Sequence, residues 1–222
     1  CSSLEKIEFP ENVVEMGAQV IMGCNSLKSA VLPKWFPYDV SDYAESYRRI
    51  PIISKCPSLT TLTLPIFTAV KENADGEMEN VTVAKFDYRM ISELPSLTDF
   101  VLPKEDDNRE YTVVDGTLYS SDKKTIVRVP YGIKSFRGLT DNTIVEHHAF
   151  YQNNIEDVDF AGDIIEIKEN AFEESTVNTV NVKDSLRTIG REAFSHAENL
   201  TTINLNEGLL DLGQEIFGNC KS

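Results

Sequence analysis

The chain has 222 residues, 41% of them hydrophobic, which is enough apolar material to bury a continuous core. Its 21 Lys and Arg stand against 36 Asp and Glu, a formal net charge of −15, so phosphate backbones and anionic lipid headgroups are repelled. Nucleic acid and membrane surfaces are thereby excluded as expected partners. No segment approaches the roughly 18–20 apolar residues that span a bilayer, and no basic stretch followed by an apolar core opens the chain. A parent protein that is exported would carry its signal elsewhere.

Self-similarity dominates everything else. Read from the first residue, Cys1-Ser-Ser-Leu4-Glu-Lys-Ile7-Glu-Phe9-Pro10 recurs as Cys24-Asn-Ser-Leu27-Lys-Ser-Ala30-Val-Leu32-Pro33. It returns as Cys56-Pro-Ser-Leu59-Thr-Thr-Leu62-Thr-Leu64-Pro65 and Leu94-Pro-Ser-Leu97-Thr-Asp-Phe100-Val-Leu102-Pro103. Later copies keep the apolar skeleton and lose the proline: Ile155, Val158, Phe160, then Val177, Val180, Val182, then Leu200, Ile203, Leu205. The leading apolar residues are separated by 23, 32, 38, 58, 22 and 23 positions, a base period of 22 to 23 with enlarged units in the middle. Cys220-Lys-Ser222 opens one more unit, so both ends read as cuts inside a longer protein.

Each unit has a second half, clearest in Ile189-Gly190-Arg-Glu-Ala193-Phe194 and Leu212-Gly213-Gln-Glu-Ile216-Phe217. Looser copies are Met16-Gly17-Ala-Gln-Val20-Ile21, Val145-Glu-His-His-Ala149-Phe150 and Ile167-Lys-Glu-Asn-Ala171-Phe172. In the first half the last two apolar residues are two apart and point to one face, which gives a short strand with outward polar neighbours. In the second half the apolar spacing of four and five suits one helical or 3₁₀ turn. One unit cannot bury its apolar side, but stacked units can, each strand pairing with the next. The expected class is α/β and strand-dominated: a right-handed solenoid over 1–222 with short strands and short helical or 3₁₀ turns.

The enlarged units have their own chemistry. Residues 34–55 carry Trp35, Phe36, Tyr38, Tyr43 and Tyr47, together with Pro37 and Pro51, which reads either as aromatics patching the core or as a binding protrusion. Residues 66–93 include the acidic stretch Glu72 to Glu79 around Asp75-Gly76, expected as a solvated hairpin loop. The largest insertion, 104–140, has its centre between Tyr111 and Tyr131. There Asp115-Gly116 suits a two-residue hairpin turn and Ser121-Asp122-Lys123 a second turn, which together predict a three-stranded meander.

The repeat closely resembles the BspA-like class of leucine-rich repeats, whose unit reads roughly Leu-x-x-Ile-x-Leu-Pro-x-x-Val-x-x-Ile-Gly-x-x-Ala-Phe-x-x-Cys. The resemblance covers nearly the whole chain, and the segment Asp115-Gly116-Thr-Leu118-Tyr119-Ser120 is similar to an insert that such proteins place between repeats. It implies a leucine-rich-repeat solenoid on a secreted or surface-attached protein, with adhesion or the binding of extracellular proteins as the expected activity.

Signatures of catalysis are absent: no G-x-S-x-G, no phosphate-cradling glycine loop and no H-E-x-x-H. His147 and His148 are adjacent and diverge on any regular element, which predicts an exposed loop pair and not a metal site. Asp157 and Asp159 lie on one face of a strand about 7 Å apart, a spacing that could hold a cation or a hydrolytic acid pair, but plain solvation is the preferred reading, since other rungs carry polar residues at the same two positions. Cys1, Cys24, Cys56 and Cys220 share one phase, whose other members by count are Leu94, Gln152, Glu174 and Ala197. Without a C-x-x-C, the reading is small buried thiols in a column. A Cys1–Cys24 bond between neighbouring rungs and a lipid-modified Cys1 are the alternatives.

The functional expectation is non-enzymatic recognition of an extracellular protein or glycan, with no cofactor. The alternatives are a structural spacer displaying another domain and, remotely, a metal-dependent or carboxylate-based hydrolase. The binding residues expected are Asp99, Asp157 and Asp159 on the outward strand positions, with Trp35 and Tyr38 as hydrophobic anchors at the edge of that face.

Overall fold

The computed structural model describes residues 1–13, 16–34, 51–72, 78–82, 85–103 and 110–221, with backbone alone for 68–72 and 78–82. Trp35 and Tyr38 therefore lie outside the described residues, as do most of the 34–55 insertion and the Asp75-Gly76 tip. The chain forms two compact units, 1–113 and 114–222.

In the first unit the strands are β1 (Lys6–Glu8), β2 (Ile21–Met22), β3 (Ser29–Val31), β4 (Ile53–Ser54) and β5 (Thr61–Thr63). They continue with β6 (Thr68–Glu72), β7 (Met78–Thr82), β8 (Ile91–Ser92) and β9 (Asp99–Val101), and β10 (Tyr111–Val114) spans the boundary between the units. The first halves of the repeats pair in parallel as β1-β3-β5-β9, with Ile7, Ala30, Leu62 and Phe100 in one register row. The second halves pair as β2-β4-β8, with Ile21 opposite Ile53 and Ile53 opposite Ile91. The acidic insertion is an antiparallel hairpin, β6 against β7, as its turn residues predicted. A 3₁₀ turn, Tyr88–Met90, returns the chain to the array, its start capped by the Asp87 carboxylate accepting from Arg89 N–H at 2.8 Å.

The second unit contains β11 (Thr117–Ser120), β12 (Thr125–Arg128), β13 (Ser135–Phe136), β14 (Ile144–Val145) and β15 (Asp157–Asp159). After these come β16 (Glu166–Ile167), β17 (Thr179–Asn181), β18 (Thr188–Ile189), β19 (Thr202–Asn204) and β20 (Asp211–Leu212). One parallel sheet runs β13-β15-β17-β19 and another β12-β14-β16-β18-β20. The Asp115-Gly116 turn has φ of 48° and 75°, the doubly positive geometry of a tight hairpin turn. β11 and β12 then pair antiparallel, as the meander required.

One coil escapes a count made from the leading leucines. Phe136 sits opposite Val158 in the sheet, so Ile133 and Phe136 hold the apolar positions of a further coil, 22 residues before Ile155 and Val158. A glycine-rich, proline-flanked context (Pro130-Tyr-Gly132, Gly138) hid it.

Main-chain pairing continues around the corners as well as along the sheets. Phe150 N–H donates to Ala171 O at 2.7 Å, Phe172 to Ala193 O at 2.7 Å and Phe194 to Ile216 O at 2.9 Å. Each corner is a run of i→i+3 turns, for example Ala149 N–H to Glu146 O, Tyr151 to His148 O and Asn153 to Phe150 O. The runs are linked by left-handed residues that are not glycine: His148, Asn170, Glu192 and Glu215 before the Phe column, and Gln152, Glu174, His196 and Asn219 after it. Each costs on the order of 1 kcal/mol locally, offset by the paired main chain on either side. Gly190 has a different reason: a Cβ there would lie 2.4 Å from the Glu169 nitrogen of the neighbouring coil.

Because the coils superpose, equal positions stack. Phe150, Phe172, Phe194 and Phe217 form one aromatic column with centroid spacings of 4.3, 4.8 and 5.7 Å and interplanar angles of 6°, 14° and 21°. Where the column starts, main-chain pairing with the preceding segment is only partial: Val129 N–H donates to Ala149 O at 2.9 Å, while other carbonyls of the Phe150 corner take a side-chain donor. There Arg128, fully buried on β12, donates from Nη1 to His148 O at 2.5 Å and from Nη2 to Tyr151 O at 2.9 Å. Its guanidinium lies 4.6 Å from the Tyr131 ring. A side chain thus replaces the missing main-chain donors.

Two stability measurements check this packing. Phe194→Ala should lower unfolding free energy by about 3–5 kcal/mol in urea titrations, while Phe217→Ala, partly exposed at the end of the column, should cost about 1–2 kcal/mol; equal losses would mean the column is not continuous. Arg128→Met should cost about 2–4 kcal/mol because two buried carbonyls lose their donors, with Arg128→Lys, which cannot fork to both, between Met and wild type.

Candidate binding face

Short strands fix which residues face outward. On β15 the flanking aspartates are exposed and Val158 is buried, and the register sets Asp157 beside Ser135 and Thr179, and Asp159 beside Asn181. Thr179 and Asn181 are followed by Thr202 and Asn204, giving two polar rows on one face. Asn204 Nδ2 donates to Asn181 Oδ1 at 2.8 Å, a side-chain rung that repeats the main-chain one below it. Asp99 occupies the equivalent position on β9 in the first unit, beside Thr61, and accepts from Thr98 Oγ1 at 2.6 Å. Asp157 and Asp159 therefore share one strand, whereas Asp99 belongs to the other four-stranded sheet.

Several surface charges elsewhere are paired between coils: Lys28 with Glu5 at 3.3 Å, Lys134 with Glu156 at 3.5 Å, Lys183 with Asp163 at 3.2 Å and Arg191 with Glu169 at 3.9 Å. Among the described residues no ion pair involves Asp157 or Asp159, so their carboxylates face solvent without a cation. Nor do three His, Cys, Asp or Glu side chains converge as metal ligands anywhere among the described residues.

The histidine pair departs from expectation in one member. His147 is exposed, with Nδ1 3.3 Å from Glu169 O. His148 is largely covered: its left-handed backbone turns the ring inward against Tyr151, 5.5 Å between centroids, with Nε2 3.6 Å from Glu173. The cysteine column also needs a correction. Counted back from the leading apolar residue, its members include Gln152 and Glu174, but these lie outside, in left-handed conformation. The buried positions are Asn153 and Ser175, three residues after Phe150 and Phe172, as Ala197 follows Phe194 and Cys220 follows Phe217. The 22-residue coils are shortened just after this position, so counting forward from the Phe would have found it. Asn153 uses its burial well, donating from Nδ2 to Val129 O at 3.1 Å and Pro130 O at 2.8 Å.

Apolar exposure gathers on the last coil, at Leu205, Leu210, Leu212 and Phe217, beside a shallow cavity of about 230 Å³ lined by Leu200, Ile203, Phe217 and Cys220. No helix among the described residues is long and apolar enough to cross a membrane.

Glu146 and Lys168 form the best-covered ion pair with two contacts on neighbouring coils, Nζ donating to both carboxylate oxygens at 2.9 Å. Burial by itself would raise the Glu146 carboxyl, but the Lys168 bonds, the His147 N–H and the Lys168 charge outweigh it and hold the group below its ordinary value of 4.5. A depressed folded value stabilises the fold above the unfolded value, and that contribution is lost as pH falls through the folded one. Thermal midpoints measured between about pH 3 and 7 should therefore show a shallower acid limb in Lys168→Met than in wild type; identical limbs would remove this pair as a source of acid sensitivity.

No curated protein matches the chain. Among solved structures, the pneumococcal vaccine antigen PcpA matches with a TM-score of 0.51 at 18% identity, over 97% of this chain and 48% of that one. The chain thus spans about half of that relative. Leucine-rich repeat proteins from Bacteroides ovatus (TM-score 0.34, 14% identity, 97% of this chain and 58% of that one) and Eubacterium ventriosum (0.31, 9%, 99% and 83%) also match. The sequence profile of the BspA type leucine rich repeat region matches residues 1–108 and 132–222 in six copies. With the in-register parallel strands, this establishes the strand-dominated leucine-rich-repeat fold, and the chain belongs to the BspA-type leucine-rich repeat family.

Proposed function

We propose that the chain is a recognition module, without catalysis of its own, that binds an extracellular protein or glycan through the outward strand positions of its parallel sheets. The observation that carries this reading is the unpaired acidic pair Asp157 and Asp159 in a face otherwise made of Ser, Thr and Asn. Side chains on a rigid main-chain ladder lose little further entropy on binding, which favours recognition by such a face. Carboxylates without an internal cation select a partner with a basic patch or, through the polar rows, a hydroxyl-rich one. Asp99 extends the same chemistry to the first unit, and Trp35 and Tyr38 are the proposed apolar anchors. A cell-surface or secreted location fits the family, and one fold relative is a vaccine antigen.

The test begins with the immobilised chain screened against purified extracellular-matrix proteins and a glycan array. For each ligand found, Asp157→Asn with Asp159→Asn, alone and together with Asp99→Asn, should weaken binding about tenfold and flatten its salt dependence. Trp35→Ala serves as the separate probe of the insertion. Wild-type affinity and salt slope in every variant would discard the face and leave the array as a rigid spacer.

A further inference from the structure

Cys24 and Cys56 hold the same turn position on adjacent coils. β2 and β4 pair with Met22 opposite Ser54, and Gly23 N–H donates to Ser54 O at 3.1 Å, so the ladder runs up to the residue before Cys24. Each thiol turns back to the carbonyl two residues earlier, Cys24 to Met22 O at 3.9 Å and Cys56 to Ser54 O at 3.3 Å. Each cysteine then opens the same turn, Leu27 N–H donating to Cys24 O at 3.2 Å and Leu59 N–H to Cys56 O at 3.1 Å. Both are buried and free, and they hold the same position on adjacent, main-chain-paired coils. Adjacent parallel strands lie about 4.8 Å apart, inside the roughly 4.4–6.8 Å range of Cα separations that a disulfide bridges. Among the described residues no third His, Cys, Asp or Glu side chain joins them as a metal ligand would.

We propose that Cys24 and Cys56 are a redox staple: a small-molecule disulfide oxidises them to a bond that joins the second and third coils. The ring so closed contains residues 25–55, and with them the whole aromatic insertion 34–55. In the first step one cysteine thiolate attacks the small disulfide, forming a mixed disulfide and releasing one small thiol. The second cysteine then attacks the protein sulfur of that mixed disulfide and releases the other small thiol. Two protein thiols are oxidised, and the two electrons and two protons leave on the two small thiols, so the exchange balances. Burial pushes the Cys56 thiol up, which disfavours it as the attacking group. The bond restricts the unfolded chain and ties together the two ends of the insertion at its base. This chemistry is independent of which partner the sheet face binds.

The experiment equilibrates the chain, and separately its Cys1→Ala variant, under native conditions with mixtures of reduced and oxidised glutathione, then traps free thiols by alkylation and maps peptides by mass. The expected result is a Cys24–Cys56 linked peptide in both proteins, with Cys220 alkylated, and a thermal midpoint about 5–10 °C above the reduced form. That rise should vanish in Cys24→Ala and in Cys56→Ala. A Cys1–Cys24 bond, glutathione adducts without an internal bond, or a linked form with an unraised midpoint would each overturn the proposal.

Discussion

Everything in this fold depends on main-chain hydrogen bonding between one coil and the next, in register and around the corners as well as along the strands. Asn170 N–H to Arg191 O and Glu192 N–H to Gln214 O show the same bond repeated one coil later at a corner. Such pairing leaves few buried backbone groups unsatisfied, and it places every residue directly over its counterpart. A column must then tolerate its own repetition. Phenylalanine does so by stacking, branched aliphatics by nesting, and asparagine by bonding sideways from Asn204 to Asn181. The left-handed corner residues are the local cost of that geometry, and their recurrence at two fixed positions per coil marks it as structural strain.

Where the ladder is interrupted, polar side chains take over from the main chain. Arg128 supplies donors to the Phe150 corner, and Asn153 does the same for Val129 and Pro130. Asn142, almost wholly buried, accepts from Leu139 N–H at 2.7 Å and donates to Lys123 O at 2.6 Å, which fixes the Gly138 turn to the meander. These residues are buried because a backbone group lacks its partner there, and a buried amide or guanidinium in a repeat core is in that sense a sign of a discontinuity. The insertion is joined to the array by the same physics that joins one coil to another.

The stacking that organises the core also organises the surface. Opposite charges one coil apart come within reach, as in Lys168 with Glu146 and Lys134 with Glu156, and most of them are exposed enough to add little stability. Asp157 and Asp159 take part in no ion pair among the described residues, and their register neighbours Ser135, Thr179 and Asn181 are uncharged. The same arrangement sets Cys24 and Cys56 at equal positions on neighbouring coils. The proposed recognition face and the proposed redox pair both rest on one geometric fact: equal sequence phase means adjacency in space.

The sequence by itself determined the period, the inward and outward strand positions, the Asp115-Gly116 turn, the aromatic column and the family, because each is set by residues a fixed distance apart. Register at the corners needed the tertiary structure. The 22-residue coils lose a residue just after the buried polar position, so Asn153 and Ser175, not Gln152 and Glu174, continue the cysteine column. The coil of Ile133 and Phe136 was hidden because only pairing with β15 reveals it. His148 turned inward because its left-handed backbone, imposed by the neighbouring coil, aims the ring at Tyr151. The burial of Arg128 goes with carbonyls of the Phe150 corner that take their donors from its side chain, a property of what lies one coil away. Spacing along the chain is local and legible, whereas which groups find partners across coils is decided by stacking.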